Sequence, residues 1–345
     1  MKKRMFYILW IVAMFSGCTK NISAPEFPDT PLPEGFAKGA DVSWVTEMEQ
    51  NGLSFKNDLG ATADLFQILK DKGMNAIRLR VWVNPVNGWC NTDDLLVKAR
   101  RAKALGYRIM VDFHYSDTWA DPGAQAKPDA WSGLSFDKLA AMVGSYTELV
   151  LNRLKQEGIH PEWVQVGNET NDGMLWEDGR ASTNMANFSA LINAGYKAVK
   201  NVDSSIKVIV HLANGFDNDL FRWMFDGLKA NGAQWDVIGM SLYPSVDNWQ
   251  TLVEQCEDNM SDMVQRYGKE VMLCEVGMPA SSPAASTAFL KAIISKNAAL
   301  PDGKGVGVFY WEPEAYGNWN GYTLGAFDDE GKPTSALDAF SMTGY

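Results

Sequence analysis

The sequence predicts an α/β fold, a (β/α)8 barrel forming a single catalytic domain, on three observations. Apolar runs of strand length recur eight times with helical patterns between them. Three helix–glycine–strand junctions repeat, at Lys72-Gly73-Met74-Asn75, Leu105-Gly106-Tyr107-Arg108 and Glu157-Gly158-Ile159. Polar and aromatic side chains gather at the C-terminal ends of the runs and not at their starts, the asymmetry of a barrel whose chemistry sits on one face.

The first run, residues 37–44, holds Gly39-Ala40-Asp41-Val42-Ser43, and the second, 75–83, holds Ala76-Ile77-Arg78-Leu79-Arg80-Val81-Trp82. The others are expected at 108–115, 163–169, 207–213, 237–243, 271–276 and 306–311. Their near-continuous apolar character marks strands covered on both faces, as in parallel sheets. Helices are expected at 61–72, with Ala63, Phe66, Ile68 and Leu69 near one face, and at 92–105, opened by Thr92 as N-cap with Asp93 and Asp94 behind it. Further helices fit 136–157, 184–201, 217–231, 249–266 and 284–299. An open doubly wound sheet is the competing topology, but no GxGxxG or phosphate loop follows any strand.

Before the barrel, Met1-Lys2-Lys3-Arg4 and an apolar stretch to Phe15 lead into Ser16-Gly17-Cys18. That stretch is too short for a stable membrane span and fits an export signal. The small pair before Cys18 resembles a lipoprotein cleavage site, although Phe15 stands where leucine is usual. Residues 1–17 are therefore expected to be a signal peptide with Cys18 as the lipidation site; an ordinary signal peptide or an uncleaved anchor is the other reading. Residues 18–35, with prolines at 25, 28, 31 and 33, form a tether, and 36–345 the catalytic domain. The expected location is a bacterial envelope, lipid-anchored. Thr19-Lys20-Asn21 carries no acidic run, which favours the periplasmic face over the cell surface.

A net charge of −11 disfavours nucleic acid as a partner and suits a neutral polymer. Membrane contact is expected through the N-terminal lipid only, and the protein is expected to be a monomer. Beyond Cys18 lie Cys90, Cys256 and Cys274. The last is expected as a small buried hydrophobe, and pairing of the other two is left open. No CxxC, HExxH or HxH occurs among only three histidines, which argues against a metal hydrolase.

Two carboxylates dominate the predicted strand ends. Glu162-Trp163-Val164-Gln165-Val166-Gly167-Asn168-Glu169 closes the fourth run and Glu270-Val271-Met272-Leu273-Cys274-Glu275 the seventh. A carboxylate past a buried strand costs desolvation energy unless partnered. A facing pair supplies the acid/base and nucleophile of glycosidic bond cleavage. Around them the strand ends offer Asp41, Ser43 and Trp44; Arg78, Arg80 and Trp82; Asp112, His114 and Asp117; Asn168; His211 and Asn214; Tyr243; and Trp311 with Glu312. Arg80 or Arg78 and the Tyr243 hydroxyl are the expected donors that keep one glutamate ionised. Asn168 is placed to hold a sugar hydroxyl. Trp82, Trp119, Trp131, Trp311 and Trp319 are candidate sugar platforms among thirteen tryptophans. His114 and His211 each read either as site residues or as satisfied interior histidines, and His160 as structural.

These residues also carry a resemblance. Asn168-Glu169 and Glu275 look like the acid/base and nucleophile of clan A glycoside hydrolases. Gly39-Ala40-Asp41-Val42-Ser43, Arg78-Leu79-Arg80-Val81-Trp82-Val83-Asn84-Pro85, and the segment from Asp112-Phe113-His114-Tyr115-Ser116-Asp117 through Trp119 to Gly123 resemble glycoside hydrolase family 53. So do Gln125-x-x-Pro128-x-x-Trp131, Val166-Gly167-Asn168-Glu169 and Tyr310-Trp311-Glu312-Pro313, so that the similarity runs from about residue 36 to 340. It implies an endo-β-1,4-galactanase acting on the galactan or arabinogalactan side chains of pectin with retention, Glu275 attacking and Glu169 serving as acid/base. No cofactor is implied as required. Some bacterial relatives hold calcium in an acid-rich loop after the seventh strand; here Gly277-Met278-Pro279-Ala280-Ser281-Ser282-Pro283-Ala284 has no carboxylate, a poor cradle for a hard cation. Two rivals stand beside this reading: another clan A endo-glycanase acting on mannan, xylan or β-glucan, and a lipoprotein that binds oligosaccharides without cutting them.

Overall fold

The computed structural model describes residues 32–342, so the expected signal segment, Cys18 and most of the tether lie outside the described residues. The chain runs β1 (Ala37–Asp41), α1 (Val45–Gln50), β2 (Phe55–Lys56), β3 (Thr62–Ala63), α2 (Leu65–Asp71), β4 (Ala76–Val81), α3 (Thr92–Ala104) and β5 (Arg108–Phe113). It continues with α4 (Phe136–Gln156), β6 (Trp163–Val166), α5 (Ala181–Val202), β7 (Lys207–Leu212), α6 (Asn218–Ala230), β8 (Val237–Leu242), α7 (Trp249–Tyr267), β9 (Glu270–Val276), α8 (Pro283–Ala298) and β10 (Gly305–Trp311). Eight parallel strands close a barrel in the order β1-β10-β9-β8-β7-β6-β5-β4, and β2 and β3 form a separate antiparallel hairpin.

All eight predicted strands are present. The helix expected over 61–72 starts later, because Thr62 and Ala63 pair with the hairpin partner. Asp64 then caps α2 by accepting from Phe66 N and Gln67 N. For α3 the cap is Asn91, whose side chain accepts from Asp94 N, so Thr92 is the first helical residue rather than the N-cap. Cys90 and Cys256 are buried free thiols, and Cys274 is the buried small side chain expected of it.

Strand alternation sorts the barrel interior into layers. At the bottom Ala37, Ala76, Met110, Trp163, Ile209, Val237, Met272, Cys274 and Phe309 form an apolar plug separate from the larger core between strands and helices. Gly39 leaves room for that plug: a Cβ there would meet the Phe309 ring at 2.2 Å. Above the plug the lumen turns polar, with Asp41, Arg78, Asp112, Gln165 and His211 all buried. Two residues beyond Arg78, Asp112 and Gly239 come Arg80, His114 and Ser241. The functional layer thus rests on a dry floor.

Candidate active site

Glu275 enters the lumen through a break in alternation. Met240 pairs with Leu273, yet the next residue, Ser241, pairs with Glu275. On the other side Val308 pairs with Leu273 and Tyr310 with Val276. Both neighbours therefore register one extra residue in β9, a bulge that re-aims the side chains beyond it. Cys274 stays in the apolar plug while Glu275, its immediate neighbour, lines the cleft above. Glu169 is aimed differently, by a turn after β6. Gly167 has φ +85°, and a Cβ on it would lie 2.6 Å from Thr170 Cγ2; Glu169 itself sits at φ +43°, a region non-glycine residues seldom occupy.

Both glutamates line one open cleft of about 990 Å³ at the C-terminal end of the barrel. Their surroundings differ. Glu275 Oε1 lies 2.8 Å from Arg78 Nη2, and its Oε2 accepts from the Tyr243 hydroxyl at 2.8 Å. Glu169 Oε1 accepts from the Ser241 hydroxyl at 2.6 Å and, among the described residues, has no cation as a direct partner. Burial, and then the Glu275 charge, raise the Glu169 pKa to about 8. Burial lifts Glu275 as well, but Arg78 and then Tyr243 pull against it, so Glu275 is the member of the pair that ionises first.

Arg78 organises the layer beneath. Its Nη1 donates to Asp41 Oδ2 at 2.6 Å, its Nη2 to Asp112 Oδ2 at 3.0 Å and Asn168 Oδ1 at 2.9 Å, and its Nε to Gln165 Oε1 at 2.8 Å. Burial opposes charge on Asp112, but Arg78 and then His114 outweigh it and hold that carboxyl below its ordinary value. Of the two arginines left open by the sequence, Arg78 is the cation at Glu275. Arg80 pairs instead with Glu312, with its guanidinium 4.4 Å from the centre of Trp119 and 5.3–5.4 Å from those of Trp44 and Trp82. It therefore holds the aromatic wall and does not serve the carboxylate pair.

The remaining expected residues divide into those the cleft exposes and those beneath it. Trp82, His114, Asp117, Trp119, Asn168, Tyr243 and Trp311 line the cleft. His114 Nδ1 accepts from both Trp82 Nε1 and Ala120 N at 3.1 Å, which places its ring proton on Nε2, facing Asp112 at 3.0 Å. Asn168 spends one amide hydrogen on Ala120 O at 2.8 Å and keeps the other. Both carboxylate oxygens of Asp117 accept backbone N–H groups, from Asn84 and Asp129, so it pins loops together. Asp41 and His211 are fully buried below the cleft and support it. Trp319 and Trp131 do not line it: Trp131 packs against Tyr146 and Tyr115, while the turn carrying Trp319 brings Asn320 and Gly321 to the rim instead.

The sequence reading missed Ser241 and Gln165, buried on strands where a single polar residue amid apolar ones was the available signal. It also missed Trp89 and Tyr322, which line the cleft from loops. Glu314 escaped it too. This carboxyl is fully buried beside Glu312, and burial and then the Glu312 charge push its pKa well up. Among the described residues no group of three or more His, Cys, Asp or Glu side chains forms a metal-holding cluster.

The sequence profile of glycosyl hydrolase family 53 matches residues 37–287 and 280–340. An uncharacterised protein of Niallia circulans is 36% identical, over 89% of this chain and 93% of its own length. An arabinogalactan endo-β-1,4-galactanase of Thermothelomyces thermophilus is 34% identical, over 88% of this chain and 98% of its own. A solved structure of a fungal β-1,4-galactanase superposes with a TM-score of 0.83 at 32% identity, covering 88% of this chain and 98% of that one.

Proposed function

The chain belongs to glycosyl hydrolase family 53 and is a glycoside hydrolase, and from that premise we propose that it cuts internal β-1,4-galactosidic bonds of pectic galactan or type I arabinogalactan with retention. The observation that carries this reading is the contrast between two carboxylates in one cleft. Glu275 has a cation and a phenol to hold negative charge, and Glu169 has neither and keeps a proton to about pH 8.

In the first half-reaction Glu275 attacks the anomeric carbon while Glu169 gives its proton to the departing glycosidic oxygen, and a galactosyl ester forms on Glu275. Glu169, now a carboxylate, takes a proton from water, and the resulting oxygen nucleophile opens the ester and frees Glu275. The free amide hydrogen of Asn168 is available to a sugar hydroxyl beside the reacting carbon. The rings of Trp82, Trp119 and Trp311 offer flat faces to sugar C–H groups. No cofactor takes part in this scheme, and the loop after β9 lacks the carboxylates calcium would need.

Reducing-end release from galactan, mannan, xylan and β-glucan tests the assignment. Galactan should be cut by a wide margin, with oligosaccharides of several lengths appearing early. Preference for another polymer overturns the substrate, and no release from any overturns the enzyme. The apolar N-terminal stretch and Cys18 support a lipid-anchored enzyme, and Thr19-Lys20-Asn21, with no acidic run, favours the periplasmic face of a bacterial envelope. Metabolic labelling with a radiolabelled fatty acid, lost in Cys18→Ser, tests the anchor.

A further inference from the structure

We propose that Gln165, His211 and Ser241 are positioning residues that dictate which oxygen of Glu169 carries the catalytic proton. This rests on Glu169 being the acid/base. The direction of each hydrogen bond behind the cleft sets the arrangement. Arginine has donors only, so the Gln165 atom that Arg78 Nε meets at 2.8 Å is the amide oxygen, and the other is the nitrogen. That nitrogen donates one hydrogen to Asp112 Oδ1 at 2.9 Å and directs its second toward His211 Nδ1 at 3.0 Å. The other acceptors within its reach, Asn168 Oδ1 at 3.4 Å and Gly167 O at 3.5 Å, are longer, so the second hydrogen goes to Nδ1; Asn168 Oδ1, itself 3.0 Å from Nδ1, accepts from Arg78 at 2.9 Å.

With Nδ1 as acceptor, the neutral ring bears its proton on Nε2. It stays neutral because burial, and next the Arg78 charge, hold the pKa of His211 well below its ordinary value. Nε2–H then donates to Ser241 Oγ at 2.8 Å, which leaves the hydroxyl hydrogen for Glu169 Oε1 at 2.6 Å. Oε1 thereby accepts a hydrogen bond in both charge states of Glu169, and the acid proton goes to Oε2, the oxygen with no donor among the described residues.

The same arginine thus orients both carboxylates. Toward Glu275 it donates directly, and toward Glu169 it acts through three side chains whose donors all point away from it. Gln165 and His211 are wholly buried and do not line the cleft, so a direct substrate contact does not account for them. The charged and titratable groups facing His211 are Arg78, Asp112 and His114; those facing Glu169 are Glu275, Arg78, Asp121 and Tyr243.

The full-length protein labelled with ¹⁵N-histidine tests this, since three histidines are readily assigned. His211 should show the neutral Nε2–H tautomer from pH 5 to 8. In Gln165→Met the donor to Nδ1 is gone, and His211 should switch to Nδ1–H and donate to Asn168. Ser241 then turns its hydrogen to His211, Glu169 loses a donor to its charged form, and the basic limb of kcat against pH should move upward. Ser241→Ala should move that limb the same way, with kcat down ten- to a hundredfold and KM little changed, and Ser241→Thr should restore both. An Nδ1–H tautomer in the unaltered protein overturns the proposal without need of any variant. A basic limb unmoved in both Gln165→Met and Ser241→Ala also overturns it. Failure of the acid/base reading itself would register separately, as absent azide rescue of Glu169→Ala.

Discussion

Arg78 bridges the barrel lumen between Asp41 and Glu275, with Nη1 2.6 Å from the Asp41 carboxylate and Nη2 2.8 Å from that of Glu275. Asp41 contributes no surface to the cleft. Its function is to hold the guanidinium, assisted by Ser43, whose backbone N–H and hydroxyl complete the carboxylate's contacts. A buried charge of this kind is tolerable only with all its partners present.

Arg78→Ala should therefore unfold more easily as well as lose activity. It leaves Asp41, Asp112 and Glu275 without their cation, and breaking a buried pair typically costs about 3–5 kcal/mol. Urea denaturation monitored by tryptophan fluorescence should show a clearly lower midpoint. An unchanged midpoint would refute the account of Arg78 as the organising charge.

Glu275→Gln should keep the fold and oligosaccharide affinity while turnover falls by several orders of magnitude, because covalent catalysis is removed outright. Hydrolysis rates on galactan alongside calorimetric binding measure both. Retention of more than about a tenth of the activity would sink the nucleophile assignment.

Glu169→Ala should be severely slowed on galactan, whose leaving alcohol needs a proton. An aryl galactoside with an acidic phenol, where accepted, should still form the intermediate, and azide should relieve its accumulation by attack without a base. Azide in Glu275→Ala attacks from the opposite face instead, giving the other anomer. Proton NMR of the azide products decides, and the same anomer from both variants would mean that the roles are wrong.

The pH dependence follows from Glu169. Its pKa is raised in the folded state to about 8, so the acid form persists at neutrality and kcat/KM should fall as pH rises through about 8. The same shift bears on stability. A carboxyl with a raised folded-state pKa contributes most below the unfolded value near 4.3 and progressively less as pH climbs toward 8. Glu169→Gln, which cannot ionise, should therefore raise Tm by a few degrees at pH 8 and change it little at pH 4. Differential scanning calorimetry at the two pH values checks the sign; a lower Tm at pH 8 would contradict it.

The barrel and its chemical face were legible because both are written in local pattern: apolar runs, glycine helix stops, and carboxylates just past strands. Glu169 and Glu275 could be picked out one strand at a time, as could Tyr243, His114, Trp82, Trp119 and Trp311. Choosing between Arg78 and Arg80 could not be done that way. Both sit on the same face of β4, and only the height of each above the apolar plug decides that the lower one meets Glu275 and the upper one Glu312. The bulge in β9 was equally silent, since an extra residue shows itself only against the register of β8 and β10. Sequence by itself determined the fold and picked out the two candidate carboxylates, because strand periodicity and the need to justify a buried carboxylate are properties of short segments. Tertiary structure alone decided which charge meets which, why Trp319 and Trp131 fall outside the cleft, and that Gln165, His211 and Ser241 connect Arg78 to Glu169, because each of these depends on distances across a closed barrel between strands far apart in the chain.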